Sequence, residues 1–223
     1  MRSFFKRDKP EDTKRKPPEE RGPLGVGIGG AIDVDMLSLQ ASLVGKQTAI
    51  ELPDLSTFVV AGIGQTMLDA DMQLTRYYDD EDRMVQVMGS PNCGPEDIVD
   101  ATLFVPWDSV VPASRSDWLQ WTGPRGLLGA THYDADGIVY QRFWGDGDGH
   151  MDLVEFTEEV DADGMRREIH QRCMLYARPL GSTMREMLLI LTQRDLSGKA
   201  AEGGESIEFM IGYGLNVADV RRV

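Results

Sequence analysis

The residues from 165 to 177, MRREIHQRCMLYA, alternate in character: Met165, Ile169, Cys173, Leu175 and Ala177 share one side of an extended chain, and Arg166, Glu168, His170 and Arg172 share the other. A period of two fits a strand with one face on a core and one in water, and it does not fit a helix. The run ESIEFMIGYGL behaves likewise, placing Ile207, Phe209, Ile211, Tyr213 and Leu215 together. Turn chemistry separates such runs: DADG at 134–137 and again at 161–164, DDED at 79–82, and SGKAAEGGE at 197–205. Asp-Gly pairs between extended runs are hairpin signals. The fold expected is therefore mainly β, with antiparallel hairpins forming a sandwich or barrel-like sheet and a few short helices. The two DADG segments do not mark a repeat, because their flanks share no further pattern.

Helical signals are sparse. Ser114 or Ser116 can cap a short helix carrying Asp117, Trp118 and Trp121 and closed by Gly123-Pro124. A second helix is expected from Asn216, with Arg221 and Arg222 in its last turn complementing the dipole. GPEDIVD supports one turn, whereas AIDVDM alternates like a strand.

With 223 residues, 41% of them hydrophobic, the chain can bury a core in one domain or two small ones. Residues 22–223 read as a single mainly-β domain, with 113–125 as the seam if it divides into two β-rich halves. Residues 1–21 have no hydrophobic pattern, three prolines and dense charge, so they are expected to be a disordered tail. Phe4 and Phe5 beside Arg2, Lys6 and Arg7 offer a short foot for an acidic partner or peripheral membrane contact. A solvated extension is the simpler reading, since two aromatics give little burial.

The tail holds eight Lys/Arg against five acids, and the remainder fifteen against thirty-two, a net of −17. So acidic a body repels phosphate backbones and anionic headgroups, which disfavours nucleic acid as its partner. No apolar run approaches the roughly 18 residues of a membrane span, and MRSFFKRDKP lacks the apolar core of a secretory signal. Two cysteines, Cys93 and Cys173, give no disulfide framework. A cytoplasmic location, including the inner face of the membrane, is the expectation.

Several motifs invite chemistry. Gly25, Gly27 and Gly30 have the spacing G-x-G-x-x-G, but a dinucleotide site needs a buried strand before the first glycine and a helix directly after the last. PPEERGPL precedes them and a strand-like segment follows, so a flexible entry or close backbone approach explains them better. VGKQT at 44–48 lacks the glycine and the Ser/Thr of a phosphate loop. GDGDGHMDLVEF offers Asp146, Asp148 and Asp152 to calcium. An EF-hand register from Asp146 then fails at His150, Met151 and Thr157.

His132, His150 and His170 are scattered. Only His170 and Cys173 come near ligand spacing, and three positions along a strand put them on opposite faces. Cys93 would need a base or a helix start at GPEDI to become a nucleophile, and a passive loop cysteine is preferred. Trp107, Trp118, Trp121 and Trp144 read as core or subcore. No catalytic, cofactor-binding or metal-ligating residue is assigned, and no cofactor is expected.

PLGVGIGGAIDVDML, AIELPD at 49–54, DWLQWTGPRGLLG at 117–129, YQRFWGD at 140–146 and MLYAR at 174–178, in that order, resemble the YjfK-like bacterial proteins, a family of unknown function. The resemblance runs from Gly22 to Val223 and supplies no catalytic residues. It implies a setting beside homologues of the membrane-stress coat protein PspA and small membrane proteins. Together with the acidic body, this points to a non-enzymatic interaction or adaptor protein with a PspA-like partner in envelope stress. The alternative is a small hydrolase or ligand-binding β domain with a loop-built site near Asp146, Asp148 and His150.

Overall fold

A computed structural model describes residues 22–53, 57–196 and 206–223. The expected tail at 1–21 and the turn at 197–205 lie outside the described residues. The elements run β1 (Ala31–Val34), α1 (Met36–Leu43), β2 (Phe58–Val59), β3 (Gly62–Met67), β4 (Gln73–Tyr78), β5 (Met84–Gly89), β6 (Ile98–Val110), α2 (Arg115–Thr122), β7 (His132–Ala135), β8 (Ile138–Arg142), β9 (Val154–Ala162), β10 (Met165–Pro179), β11 (Arg185–Asp195), β12 (Ile207–Leu215) and β13 (Val220–Arg222). The fold is mainly β, as the alternation predicts, and it is a barrel.

Eight strands pair in the order β11-β12-β6-β5-β4-β3-β9-β10, and β10 returns to pair with β11, closing an antiparallel ring. Beyond the point where β9 leaves β10 at Cys173, β8 takes its place against Tyr176 and Ala177, so the β7–β8 hairpin extends the wall. A separate sheet, β13-β1-β2, lies outside the ring.

The DADG hairpins form as expected. Asp136 and Gly137 join β7 to β8, and Asp163 and Gly164 join β9 to β10, all four with positive φ (53° and 86°, 54° and 73°). Two successive left-handed residues make the mirror-image turn whose twist suits paired strands. A Cβ at Gly164 meets no neighbour, so the cost of Gly164→Ala is conformational. It is expected to lower stability by about 1 kcal/mol, read from urea unfolding. The DDED loop is held instead by Asp79, whose carboxylate accepts from the Glu81 and Arg83 N–H groups and from Arg83 Nε at 2.6 Å.

The barrel wall is buried on both faces over most of its girth. Residues 173–177 are buried without interruption, so β10 is half-buried only in its first half. Alternation hides this, because a strand covered on both sides reads as a continuous apolar run. Inside the ring, Met84, Phe104, Cys173, Leu175, Leu189, Leu191 and Met210 form a small core. Outside, a larger core joins Tyr77, Val85, Leu103, Tyr176, Ile190, Ile211 and Tyr213 to the surrounding layers. All four tryptophans pack as partly buried residues, Trp107, Trp118 and Trp121 on the outer core and Trp144 on both. Trp107 and Trp121 each meet the Phe209 ring edge-on.

The layers are short elements. Ser114 caps α2, its oxygen accepting from the Asp117 N–H at 3.2 Å, and Gly123 ends it. GPEDIVD gives a single turn at Pro95–Asp97. Sequence reasoning passes over α1, where Asp35 accepts from the Leu37 N–H and Met36, Leu39 and Leu43 are the buried side. An Asp cap followed by apolar residues three and four apart is the available signal, and each anchor contributes about 1.5–3 kcal/mol of burial. The helix expected from Asn216 is instead one turn, Val217–Asp219, after which Arg221 and Arg222 lie in β13 against Asp33 and Ile32 of β1. Pairing with an open strand and burial of Val220 outweigh the weak local helical preference.

Candidate functional site

The glycine-rich entry is a structural joint. Gly25 N–H bonds to Gly22 O and Gly30 N–H to Gly27 O, which makes two tight turns, and Gly29 and Gly30 exchange bonds with Val60 beside β2. The Tyr77 hydroxyl accepts from the Leu24 N–H at 3.1 Å, with Leu24 and Val26 buried. β1, a strand, follows the last glycine, so the arrangement lacks the helix start that a pyrophosphate rests on. VGKQT is likewise a turn, with Gly45 at φ 73°.

In the 143–151 loop, Asp146, Asp148 and His150 are exposed. What converges there is carbonyl oxygen, on Arg142. Its guanidinium donates to Trp144 O at 3.1 Å, Gly129 O at 2.8 Å, Gly149 O at 2.6 Å and Gly147 O at 2.8 Å. A tethered cation thus gathers the oxygens that a calcium loop would turn toward its ion. Among the described residues no group of three or more His, Cys, Asp or Glu is placed to hold a metal. Arg142→Gln is expected to raise amide exchange across 145–150 by at least tenfold (about 1.4 kcal/mol), whereas EDTA leaves wild-type exchange unchanged. Chelator-sensitive exchange would show that a metal, not Arg142, orders the loop.

The histidines stay apart. His132 Nδ1 pairs with Thr131 Oγ1 at 3.0 Å, His150 Nε2 with Gly126 O at 3.1 Å, and His170 lies 3.7 Å from Glu155. Cys173 is buried inside the ring, on the strand face opposite His170; burial pushes its thiol up to about 12 against the pull of Arg76. Burial, then Asp97 and Glu96, also raises Cys93. The acidic turn therefore works against a thiolate, contrary to what a helix start would do.

Two buried polar centres escaped sequence reasoning. Within the barrel, Arg76 donates to Glu158 at 2.9 Å, Gln171 at 2.6 Å and Gln86 at 3.0 Å. Glu158 also accepts from the Tyr78 hydroxyl at 2.7 Å and Gln171 Nε2 at 2.5 Å. The Arg76 and Glu158 side chains are 2% and 1% exposed, so the pair is desolvated. Burial lowers the Arg76 pKa, but the Glu158 charge, its hydrogen bond and the nearby Tyr78 and Cys173 together outweigh this and keep the guanidinium protonated. Gly64 on β3 sits under Glu158, where a Cβ would collide with the carboxylate. The available signal is a charge out of register: Glu158 shares parity with Phe156, Val160 and Ala162, and Arg76 with Leu74 and Tyr78.

Outside the wall, the fully buried Glu186 gathers donors from three strands and the 44–50 segment. It accepts from Tyr140 at 2.6 Å, Tyr213 at 2.7 Å, Arg178 Nε at 2.7 Å and the Ala49 N–H at 2.9 Å. Burial pushes its carboxyl up, yet Tyr140, Tyr213, Ala49 and Arg178 together outweigh that and hold it below the usual carboxylate value. Arg178 also reaches Gln47 O at 2.6 Å, which ties the 44–50 segment to the barrel.

Concavities lie at the barrel end and beside α2. One is a cavity of about 90 Å³ at the barrel end below the β4–β5 and β9–β10 turns, lined by Val160, Ala162, Ile169, Leu191 and Met210 with Gln171 and Arg167. It contains no histidine. The other is a slot of about 310 Å³ between α2 and the outer face of β10 and β11, with Arg115, Arg172, Arg194 and His170 around Trp118. Among the described residues every buried side-chain N and O has a hydrogen-bond partner.

No helix among the described residues is long and apolar enough to cross a membrane. Comparison with curated proteins and with solved structures finds no match. A family model spans residues 1–221, and by that match the chain belongs to the family described as Protein of unknown function (DUF2491).

Proposed function

We propose that this is a non-enzymatic interaction protein, an adaptor acting at the cytoplasmic face of the membrane beside a PspA-like assembly in envelope stress, with residues 22–223 as one folding unit. One observation carries the reading: the barrel is closed and largely filled by its own side chains, with its buried charges paired to each other. Catalysis needs polar groups aimed at a reacting atom and not at one another. Here Arg76, Glu158, Gln171 and Tyr78 satisfy one another, and Glu186 is saturated by its four donors. The resemblance to YjfK-like proteins supports the choice of partner.

The test is retention of a purified PspA-like protein on the immobilised full chain at low salt, where charge-led association is strongest. A complex that weakens as salt rises supports the reading, and its absence at low salt counts against it.

A second reading, a ligand-binding barrel, is favoured by the apolar cavity at the barrel end. Eight-stranded barrels have room for one small molecule, and dry apolar cavities take up benzene. Benzene that shifts the methyl resonances of Ile169 and Leu191 supports this reading; resonances unmoved at saturation argue against it.

A further inference from the structure

The slot beside α2 stands out because of its charge. Beyond residue 21 the chain has only fifteen Lys/Arg, and four of them are taken up within the fold: Arg76 by Glu158, Arg83 by Asp79, Arg142 by four carbonyls and Arg178 by Glu186. Three further arginines meet in one slot. Antiparallel pairing sets His170 directly opposite Arg194 and Arg172 opposite Thr192, while Arg115 enters from the first turn of α2. Their spacing is fixed by β-sheet register and by a capped helix. Arg172 is already engaged: Glu155, 50% exposed, accepts from its Nε at 2.7 Å.

The slot continues into an apolar step. Leu119 lines both the slot and a neighbouring depression formed with Pro124 and Leu127, and Leu119 and Leu127 are 55% and 51% exposed. A free phosphate would use the cations and leave this step bare. A peptide with carboxylates beside leucine-like side chains would cover both. A polyphosphate or an anionic bilayer would also face the net −17 of the body along its whole length, whereas a short segment feels mainly what lies within a Debye length of about 8 Å.

We propose that the face formed by α2 and the adjoining ends of β10 and β11 docks an acidic, amphipathic segment of a protein partner, with its carboxylates on Arg115, Arg172 and Arg194 and its apolar side chains on Leu119 and Leu127. This rests on the interaction reading above and deepens it. Glu155 acts as a built-in competitor, holding Arg172 until a partner carboxylate displaces it.

The test uses the full chain and a fluorescent peptide carrying paired glutamates beside leucines, with its glutamate-to-lysine counterpart as control. The glutamate peptide is expected to bind and the lysine peptide not. Arg115→Glu combined with Arg194→Glu is expected to weaken binding by about tenfold or more, Leu119→Gln by about threefold, and Glu155→Gln to tighten it. Glutamate in the first turn suits the helix dipole, so α2 should persist, and circular dichroism checks this. The control pair Arg221→Glu with Arg222→Glu, an equal charge change on β13, should leave binding unchanged.

Equal binding by wild type and the Arg115/Arg194 variant overturns the proposal. So does full displacement by millimolar inorganic phosphate with Leu119→Gln silent, which would mark a small-anion slot. If a PspA-like protein is retained equally by wild type and the Arg115/Arg194 variant, this surface is wrong while the interaction reading stands. If wild type retains none yet binds the glutamate peptide through Arg115 and Arg194, the surface is right and the named partner is wrong.

Discussion

Glu158→Leu is expected to destabilise the protein by about 3–5 kcal/mol, the largest loss from any single side chain inside the barrel. The cause is the group left behind. Arg76 is 2% exposed and would remain charged among neutral partners such as Gln171 and Gln86, while Tyr78 and Gln171 would each lose a partner. An unpaired buried charge costs far more than the intact pair contributes. Removing the charge as well should therefore restore part of the loss, so Arg76→Met with Glu158→Leu is expected to be more stable than Glu158→Leu alone. Urea unfolding of the three variants measures both differences. A single variant within about 1 kcal/mol of wild type, the range of an exposed ion pair, would mean that the pair is effectively solvated.

Glu186→Ala is expected to cost about 3–5 kcal/mol as well, with a different signature. Its loss would strand Arg178, two buried tyrosine hydroxyls and the Ala49 N–H, so the 44–50 segment should lose exchange protection before the barrel does. The same carboxylate makes stability depend on pH. Its folded pKa lies below the unfolded value of 4.5, so the unfolded chain binds the proton more readily as acid is added. The contribution is therefore complete above about 4.5, set by the unfolded carboxyl, and is lost as pH falls through the lower folded value. Glu186→Gln should flatten that acid limb relative to wild type. An unchanged acid limb would place the titration elsewhere.

Elements whose cause is local can be read directly from the chain. The strands over 165–177 and 207–215, the two Asp-Gly turns, the Ser114 cap and the GPEDI turn depend on residues within a few positions of one another, and each forms as expected. The strand directly after Gly30 was legible for the same reason. Local signals failed where an early structure-forming preference met a distant partner: Arg221 and Arg222 follow the open edge of β1, and residues 173–177 are covered on both sides by elements remote in sequence.

Closure and the buried polar centres depend on contacts between residues far apart in the chain. The β10–β11 pairing turns a sheet into a ring, which makes one face of each strand an interior and brings Arg76 within 2.9 Å of Glu158 across 82 positions. Glu186 meets Ala49 across 137 positions, and the cations beside α2 gather from one helix and two strands. A charged residue looks the same in a sequence whether it faces solvent or a partner folded back from far along the chain. Its desolvation and pairing are properties of the closed barrel, and those properties set its energy.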